Sequence, residues 1–274
     1  MKIFPYTYFN GKIIPLKQVK ISPNDLGLMR GYAAFDYFRS YNGKIFRFSD
    51  HYKRFVSSAK KINLTVPVSQ NELEQICLNL LKKNKAKDAG FRAVITGGED
   101  MLSKQATFFV LLEDFFTIPS EIFVKGGALQ TREYMRYLPE AKSTNYIENL
   151  RLDEKRRRRK ILEYIWVWQG KVYEGATSNI FIVKKGKLIT PAKDVLLGVT
   201  RKVVLELAKK NKIPVETREV AVEELETADE IFITGTNKKV CPITKLNGKS
   251  VGAGKVGNIT KLLGDKFDDY TKNY

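Results

Sequence analysis

Two short motifs in the middle of the chain constrain it more than any other feature. AKSTNY (Ala141–Tyr146) places one lysine among small and polar residues just before a helical pattern, and YEGATSNIF (Tyr173–Phe181) places one carboxylate, Glu174, between strand-like stretches. An isolated lysine or glutamate is usually surface charge. Lys142, however, lies outside any charged run, so the sequence indicates that it is positioned for chemistry.

Composition describes an ordinary globular protein. The chain has 274 residues, 43% of them hydrophobic and 28% charged, which is enough for a substantial core and one or two domains. The apolar runs are too short for a membrane-spanning helix, and the N-terminal one is interrupted by Pro5, so we expect a cytoplasmic protein. With two cysteines and the single histidine His51, the sequence predicts no disulfide framework and no metal site. An enzyme with so few such side chains often depends on an organic cofactor.

The formal net charge of +18 is unusual for an enzyme of small molecules and is common in nucleic-acid-binding proteins. One dense run, Lys155–Lys160, would point around the whole circumference of a helix instead of forming one stripe. We interpret it as a solvated helix C-terminus, where the dipole favours cations, and predict no nucleic-acid partner. A basic nucleic-acid-binding protein on a degenerate enzyme fold stays open as an alternative; it would bind RNA in a salt-sensitive way without taking up a cofactor.

Hydrophobic periodicity predicts alternating strands and helices along the whole chain. The first half is expected to contain a hairpin around Asn10–Gly11, an extended stretch over 34–41, helices opening at Ser49 and after the Ser69 capping box, and strands over 90–98 and 106–112. The second half is expected to contain strands near 128–133, 162–168, 215–220 and 230–234, strands within both KVYEG and SNIFIV, and helices near 146–160, 222–228 and 258–270, with another opening at Gly198. Pro119 marks a connection, so we predict two domains, a smaller one over 1–116 and a larger one over 117–274.

Several residues in a fixed order resemble one family. Glu174, Ala176 and Asn179–Phe181 are followed by Thr190 and then by LLGVTRK (Leu196–Lys202). This order is similar to the class IV aminotransferases, which use pyridoxal 5'-phosphate and include branched-chain and D-amino acid aminotransferases and aminodeoxychorismate lyase. The resemblance runs from about residue 7 to the C-terminus. The five-residue segment Pro191–Val195 is shorter than the corresponding loop of the family pattern.

The resemblance implies an α/β architecture like that of D-amino acid aminotransferase, with a small α+β domain, a larger domain built on a barrel-like sheet, and the cofactor between them. It also implies a homodimer acting on amino acids and 2-oxo acids. Lys142 would then carry the cofactor covalently and act as acid and base, while Glu174 would pair with the pyridine nitrogen. Arg54, in a His51-x-x-Arg54 arrangement, would bind the phosphate. The other cofactor residues that the resemblance implies are Tyr146, Asn179, Val199, Thr200 and Thr236.

The substrate residues are carried over on looser matches. Phe35, Tyr37 and Arg39 occupy every second position of an extended stretch and therefore lie on one face. The aromatic pair Phe35 and Tyr37 favours a branched-chain-like L-amino acid aminotransferase. Arg92 lies where branched-chain enzymes carry tyrosine, any residue, arginine, but Gly90 stands in place of the tyrosine. A structural ion pair is the alternative role of Arg92.

Two further positions depart from the branched-chain pattern. Asn237 and Lys238 occupy a turn where branched-chain enzymes have small residues, so Asn237 is a candidate substrate residue only by position. The four-residue spacing from Lys142 to Tyr146 matches the D-amino acid enzymes in length. A D-amino acid aminotransferase therefore remains an alternative. 4-Amino-4-deoxychorismate lyase also remains one, because the resemblance implies the same fold and cofactor for it.

Overall fold

The structure, a computed structural model, describes residues 2–100, 105–115 and 117–274. Its contacts divide the chain into two compact units. Unit 1 comprises Met1–Phe116, Ala141–Asn145 and Tyr274, and unit 2 comprises Thr117–Glu140 and Tyr146–Asn273. The lysine segment of the first motif therefore groups with the N-terminal unit. The domain boundary predicted at residue 116 falls on a position outside the described residues, and the division into two separate domains stays a prediction.

Unit 1 is an antiparallel sheet with helices packed on it. Its elements are β1 (Tyr6–Phe9), β2 (Lys12–Pro15), α1 (Leu26–Arg30), β3 (Ala33–Tyr41), β4 (Lys44–Ile45), α2 (Phe48–Lys61), α3 (Gln70–Lys83), β5 (Gly90–Thr96) and β6 (Phe108–Glu113). Among the described residues the strand order is β2-β1-β6-β5-β3-β4. β5 pairs antiparallel with both β3 and β6.

Local sequence signals account for much of unit 1. Asn10 and Gly11 both have positive φ, as a two-residue hairpin turn requires, and they join β1 to β2. Ser69 and Glu72 form the predicted capping box at the start of α3, which stabilises a helix by about 1 kcal/mol. The core lies where α2 and α3 cover the sheet and includes the fully buried Phe38 and Phe91.

Unit 2 is a larger mixed sheet with helices. Its elements are α4 (Ser120–Lys125), β7 (Gly127–Glu133), α5 (Ile147–Arg158), β8 (Glu163–Trp168), β9 (Lys171–Gly175), β10 (Asn179–Lys184), β11 (Lys187–Thr190), α6 (Val199–Lys210), β12 (Val215–Thr217), β13 (Val220–Ala221), α7 (Val222–Glu226), β14 (Glu230–Gly235), β15 (Lys239–Leu246), β16 (Lys249–Ser250) and α8 (Asn258–Lys272). In the described part of the chain its strand order is β12-β11-β10-β14-β15-β7-β8-β9-β13, with β16 on β15. Antiparallel pairing places the start of β10 beside the end of β14, where the 235–238 turn leads into β15. The turn therefore lies near the second motif, which runs from the end of β9 to the start of β10.

Several stretches differ from the pattern predicted from sequence. The strand expected over 215–220 is split: β12 pairs with β11, whereas β13 pairs with β9. Arg218 lies between them and bonds Glu216 and Glu224, so the chain changes partners there. The short helices α1 and α4 were not predicted, because five or six residues give no readable 3.6-residue period.

Three cations of the basic run at the end of α5 are paired with carboxylates of their own helix. Asp153 bonds both Arg156 and Arg157, and Glu154 bonds Arg158. Arg156 also donates to the carbonyl oxygens of Ile161 and Leu162 just beyond the helix. These contacts agree with the interpretation of the run as a solvated helix end. No helix in the described ranges combines the length and the apolar character that crossing a membrane requires.

Candidate active site

The Lys142 segment of unit 1 is fixed through its backbone to β3. The amide of Phe35 donates to the carbonyl of Lys142 at 2.9 Å, and the amide of Thr144 donates to the carbonyl of Ala33 at 3.1 Å. The Lys142 amide donates to Ser58 Oγ of α2 at 3.1 Å. The half-buried side chain places Nζ 4.4 Å from the ring centroid of Phe35. The lysine therefore has a fixed backbone and an ammonium against an aromatic face.

Arg54 is held by a carboxylate on the neighbouring strand. Its Nε and Nη2 donate to the two oxygens of Asp36 at 2.7 and 2.8 Å, and His51 Nδ1 lies 2.7 Å from the same carboxylate. His51 and Arg54 are one turn apart on α2, as their spacing predicts. Asp36 is fully buried, whereas the Arg54 side chain is 14% exposed. Two guanidinium nitrogens are thus directed to Asp36, which fixes the plane of the planar group.

The electrostatics of this cluster favour an ionised aspartate and a neutral histidine. Burial alone would raise the pKa of Asp36, but the charge of Arg54 and the contact with His51 outweigh it and hold that pKa well below its ordinary value. Burial lowers the pKa of His51, and the cations Arg54 and Lys142 lower it further, against the opposing effect of Asp36. His51 therefore supports Asp36 and Arg54 as a buried, neutral side chain.

The candidate substrate residues of unit 1 lie along β3 and β5. Arg92 forms a two-bond ion pair with Glu113 of β6, at 2.6 and 3.0 Å. Its guanidinium carbon is 5.6 Å from the Phe35 ring centroid and 5.2 Å from that of Tyr37. The ion pair considered as the alternative for Arg92 is therefore present, and both aromatic side chains share its environment.

In unit 2, Glu174 is buried and accepts hydrogen bonds from two loop segments. Arg136 Nη1 donates to its Oε1 at 2.8 Å, and the amide of Leu196 donates to its Oε2 at 2.9 Å. The Arg136 guanidinium also lies 5.9 Å from the ring of Tyr146, the residue that precedes α5. Arg136 thus links Glu174 and Tyr146, two residues that the sequence analysis had singled out separately.

Asn179 shapes the turn that leads into α6. Its Nδ2 donates to the carbonyl of Leu196 at 2.6 Å, and its Oδ1 accepts from the amide of Gly198 at 3.1 Å. A Cβ at Gly198 would lie 2.2 Å from that oxygen, so the glycine allows this close approach. Val199 and Thr200 follow as buried residues in the first turn of α6, where backbone amides are available to an anion.

Arg201 is a buried cation in the same first helical turn. Its Nη2 donates to the carbonyl of Pro191 at 3.0 Å, and its Nε finds no hydrogen-bond partner among the described residues. Burial lowers the pKa of this guanidinium. Since the helix dipole also disfavours a cation here, an anion at the α6 N-terminus would compensate both effects.

Thr236 and Asn237 lie in the turn between β14 and β15. The next residue, Lys238, reaches back to the buried carboxylate of Glu163, at 3.0 and 2.9 Å. Glu163 also accepts hydrogen bonds from the hydroxyls of Thr177 and Ser178, in the loop after Glu174. The ion pair of Lys238 with Glu163 therefore connects the β14–β15 turn to the second motif. Lys238, which departs from the family pattern, has a structural role.

Sequence reasoning missed the partners that orient the predicted residues. Asp36, Arg136 and the pair of Glu163 with Lys238 were not singled out. Asp36 carried a usable signal: it lies on the inward face of β3, between Ala34 and Phe38, where an acid needs a cation. Within the described ranges, no group of three or more His, Cys, Asp or Glu side chains could hold a metal ion.

Comparisons with a family model, with related proteins and with solved structures indicate one family. Residues 33–246 match the family model described as Amino-transferase class IV. A Methanocaldococcus jannaschii protein with the provisional name branched-chain-amino-acid aminotransferase is 33% identical, covering 96% of this chain and 95% of its own. The D-alanine aminotransferase of Staphylococcus epidermidis is 30% identical, covering 97% and 98%. A crystal structure of the Escherichia coli branched-chain amino acid aminotransferase, 27% identical, superposes with a TM-score of 0.91 over 98% of this chain and 95% of its own, which confirms the predicted fold.

Proposed function

The chain belongs to the class IV aminotransferases, and we propose that it uses pyridoxal 5'-phosphate to transfer an amino group between a branched-chain-like L-amino acid and a 2-oxo acid. The observation that carries the proposal is the fixed Lys142, held by hydrogen bonds to β3 and α2, with its ammonium against Phe35. A lysine in such a setting is suited both to covalent attachment and to proton transfer at Nζ.

The residues present fit this cofactor. The buried Arg201 at the N-terminus of α6, whose Nε has no partner in the described part of the chain, supports an anionic group there, and the Asn179–Gly198 contact supports a shaped turn beside it. Glu174 supplies a buried carboxylate suited to a protonated ring nitrogen, and Arg54 supplies a planar donor for phosphate. When bound, the cofactor supplies an electron sink for the carbanion formed at the substrate Cα.

We assign the following roles to the chain's own residues. Lys142 Nζ would hold the cofactor and move a proton, with its backbone fixed by Phe35 and Ser58. Glu174 would hold a proton on the ring nitrogen, and Arg136 orients its carboxylate. Tyr146, beside Arg136, would bond a ring oxygen.

We assign phosphate and turn contacts to a second set of residues. They are Arg54 and the α6 turn for phosphate, Asn179 as the residue that shapes that turn, and Val199, Thr200 and Thr236 as further contacts. Phe35, Tyr37, Arg92 and Asn237 are the proposed substrate residues. Phe35 beside Lys142, with Tyr37 two residues along β3, supports an apolar substrate side chain.

A D-amino acid aminotransferase is the second candidate. It is favoured by the similarity to D-alanine aminotransferases over nearly the whole chain and by the short spacing from Lys142 to Tyr146. We also propose a homodimer, which is supported by exposed large apolar side chains on two helices: Leu28 and Met29 of α1, and Ile147 and Leu150 of α5. Cytoplasmic localisation stays a prediction from sequence.

The proposal is tested by adding single amino donors to the purified protein loaded with pyridoxal 5'-phosphate. We expect L-leucine, with 2-oxoglutarate as acceptor, to give turnover well above that of D-alanine. Turnover with D-alanine alone would replace the first candidate by the second. A bound cofactor that no donor converts would favour the lyase.

A further inference from the structure

Gly90 and Tyr37 occupy one space on the face of unit 1 that carries Phe35 and Arg92. A Cβ built on Gly90 would lie 2.3 Å from Tyr37 Oη and 2.9 Å from Cζ of the same ring. The two residues are on adjacent antiparallel strands, where Arg39 pairs with Gly90 and Tyr37 pairs with Arg92. The tyrosine ring thus leans over the glycine, and its hydroxyl occupies the place where a side chain at position 90 would begin.

The surroundings of that hydroxyl are charged but compensated. The Arg92 guanidinium lies 5.2 Å from the Tyr37 ring centroid, and two of its nitrogens bond Glu113. Phe35, two residues along β3, lies under both Arg92 and Lys142 Nζ, at 5.6 and 4.4 Å from its ring centroid. Because Glu113 balances the charge of Arg92, an acidic ligand group here also needs a neutral donor.

We propose that Tyr37 is a specificity-determining residue that donates a hydrogen bond from Oη to a carboxylate oxygen of the amino acid substrate, and that Gly90 lacks a side chain to leave room for it. This inference rests on the proposed aminotransferase function. The Tyr37 ring lies 5.2 Å from the guanidinium carbon of Arg92, and Tyr37 is only half-buried. A tyrosine hydroxyl and a guanidinium on one strand face are two suitable donors for a carboxylate. Gly90 on β5 has no side chain and so no hydroxyl. Tyr37 on the neighbouring strand β3 supplies one at that place.

The first test removes only the hydroxyl. Tyr37→Phe keeps the ring over Gly90, so we expect the KM for the amino donor to rise about tenfold while kcat changes less than about twofold, as the loss of one hydrogen bond to a charged group predicts. The matched control is Tyr41→Phe, which removes a hydroxyl from the same face of the same strand, over Arg39. Equal KM values for Tyr37→Phe and the unmodified enzyme would overturn the proposal.

The second test moves the hydroxyl between strands. Gly90→Tyr alone brings two side chains into one space and is expected to raise KM more than Tyr37→Phe does. Tyr37→Gly combined with Gly90→Tyr removes that conflict and returns a hydroxyl beside Arg92, two residues along the same strand face. We expect the double variant to have a KM within about threefold of the unmodified enzyme, which is a non-additive result. Tyr37→Gly and Gly90→Tyr are also measured singly. A double variant whose KM is raised as much as these two effects predict together would contradict the inference.

Binding of pyridoxal 5'-phosphate separates this inference from the function on which it rests. Each variant is titrated with the cofactor and its visible absorption recorded without any substrate. We expect the same affinity and spectrum in all of them, because Tyr37 is assigned to the substrate. If the unmodified protein itself takes up no cofactor, the proposed function fails; if it does and turns over, but Tyr37→Phe leaves KM unchanged, only this inference fails.

Discussion

Asp36 orients Arg54, and a buried carboxylate of this kind is stable only while its cations are present. Asp36→Asn leaves Arg54 without its ionic partner in a largely buried place. We expect the free energy of unfolding to fall by about 3 kcal/mol and the affinity for pyridoxal 5'-phosphate to fall with it. Urea unfolding and cofactor titration measure the two effects. The control Asp114→Asn changes an exposed carboxylate and is expected to alter stability by less than about 0.5 kcal/mol.

His51 is the only histidine in the sequence, so its titration can be isolated. Because its pKa in the folded protein is lowered, the unfolded chain binds one more proton as the pH falls below about 6.5. The folded state is therefore favoured fully above that pH and loses stability as the pH decreases, by at most about 1.4 kcal/mol per pH unit.

Urea unfolding of the cofactor-free protein at pH 7 and pH 5.5 measures this loss. His51→Gln is expected to be less stable at pH 7 but to have a shallower dependence of unfolding free energy on pH. An equal pH dependence in both proteins would show that folding does not lower the pKa of His51. Asp36 adds to the loss only at lower pH, because its pKa lies well below that of an ordinary aspartate and its contribution is lost as the pH falls toward that value.

At the scale of elements, the turn before α6 depends on one close backbone approach. Gly198→Ala would put a Cβ 2.2 Å from Asn179 Oδ1 and displace the amide that bonds it. We expect the dissociation constant for pyridoxal 5'-phosphate to rise about tenfold, the size of effect that losing one hydrogen bond to a charged group has. Gly264→Ala in α8 is the control, since its Cβ meets open space and alanine favours a helix. Equal affinities in the two variants would show that the turn tolerates the change.

Residue patterns predicted most elements but not how the chain brings them together. Turns such as Asn10–Gly11 and the Ser69 capping box are local, so three or four residues determine them and sequence alone predicts them. The placement of Lys142 on β3 was not predictable in this way, because it depends on hydrogen bonds between residues about a hundred positions apart. Arg136 and Asp36 were missed because their partners lie in other segments of the chain, 38 residues away for Arg136 and 15 and 18 residues away for Asp36.

Lys142, Glu174, Asn179 and Thr200 could be identified from sequence because they follow one another in the order of the family's motifs. What the order did not contain is the second layer of contacts. The ion pair of Lys238 with Glu163 and the close approach of the Tyr37 hydroxyl to Gly90 depend on which strands are neighbours in the folded chain. Departures from a family pattern are thus best interpreted with the structure.

At the scale of the whole molecule, the net charge is +18, and three of the six cations in its densest basic run, Arg156, Arg157 and Arg158, are paired with carboxylates of α5. Arg157→Gln combined with Arg158→Gln is expected to leave kcat and KM unchanged, since both side chains are exposed and bond residues of their own helix. Steady-state kinetics at low and moderate salt test this. A loss of turnover in this variant at both salt concentrations would connect the run to the reaction.

The most direct test of the central claim is the visible absorption spectrum of the protein with pyridoxal 5'-phosphate, followed while L-leucine, L-glutamate, D-alanine and D-glutamate are added separately. We predict a band of lysine-bound cofactor that the L-donors convert to the pyridoxamine form. The same band must be missing from Lys142→Ala, while the exposed-lysine control Lys60→Ala must keep it. A Lys142→Ala protein that still holds the cofactor covalently after dialysis, or an unmodified protein that binds none, would contradict the account.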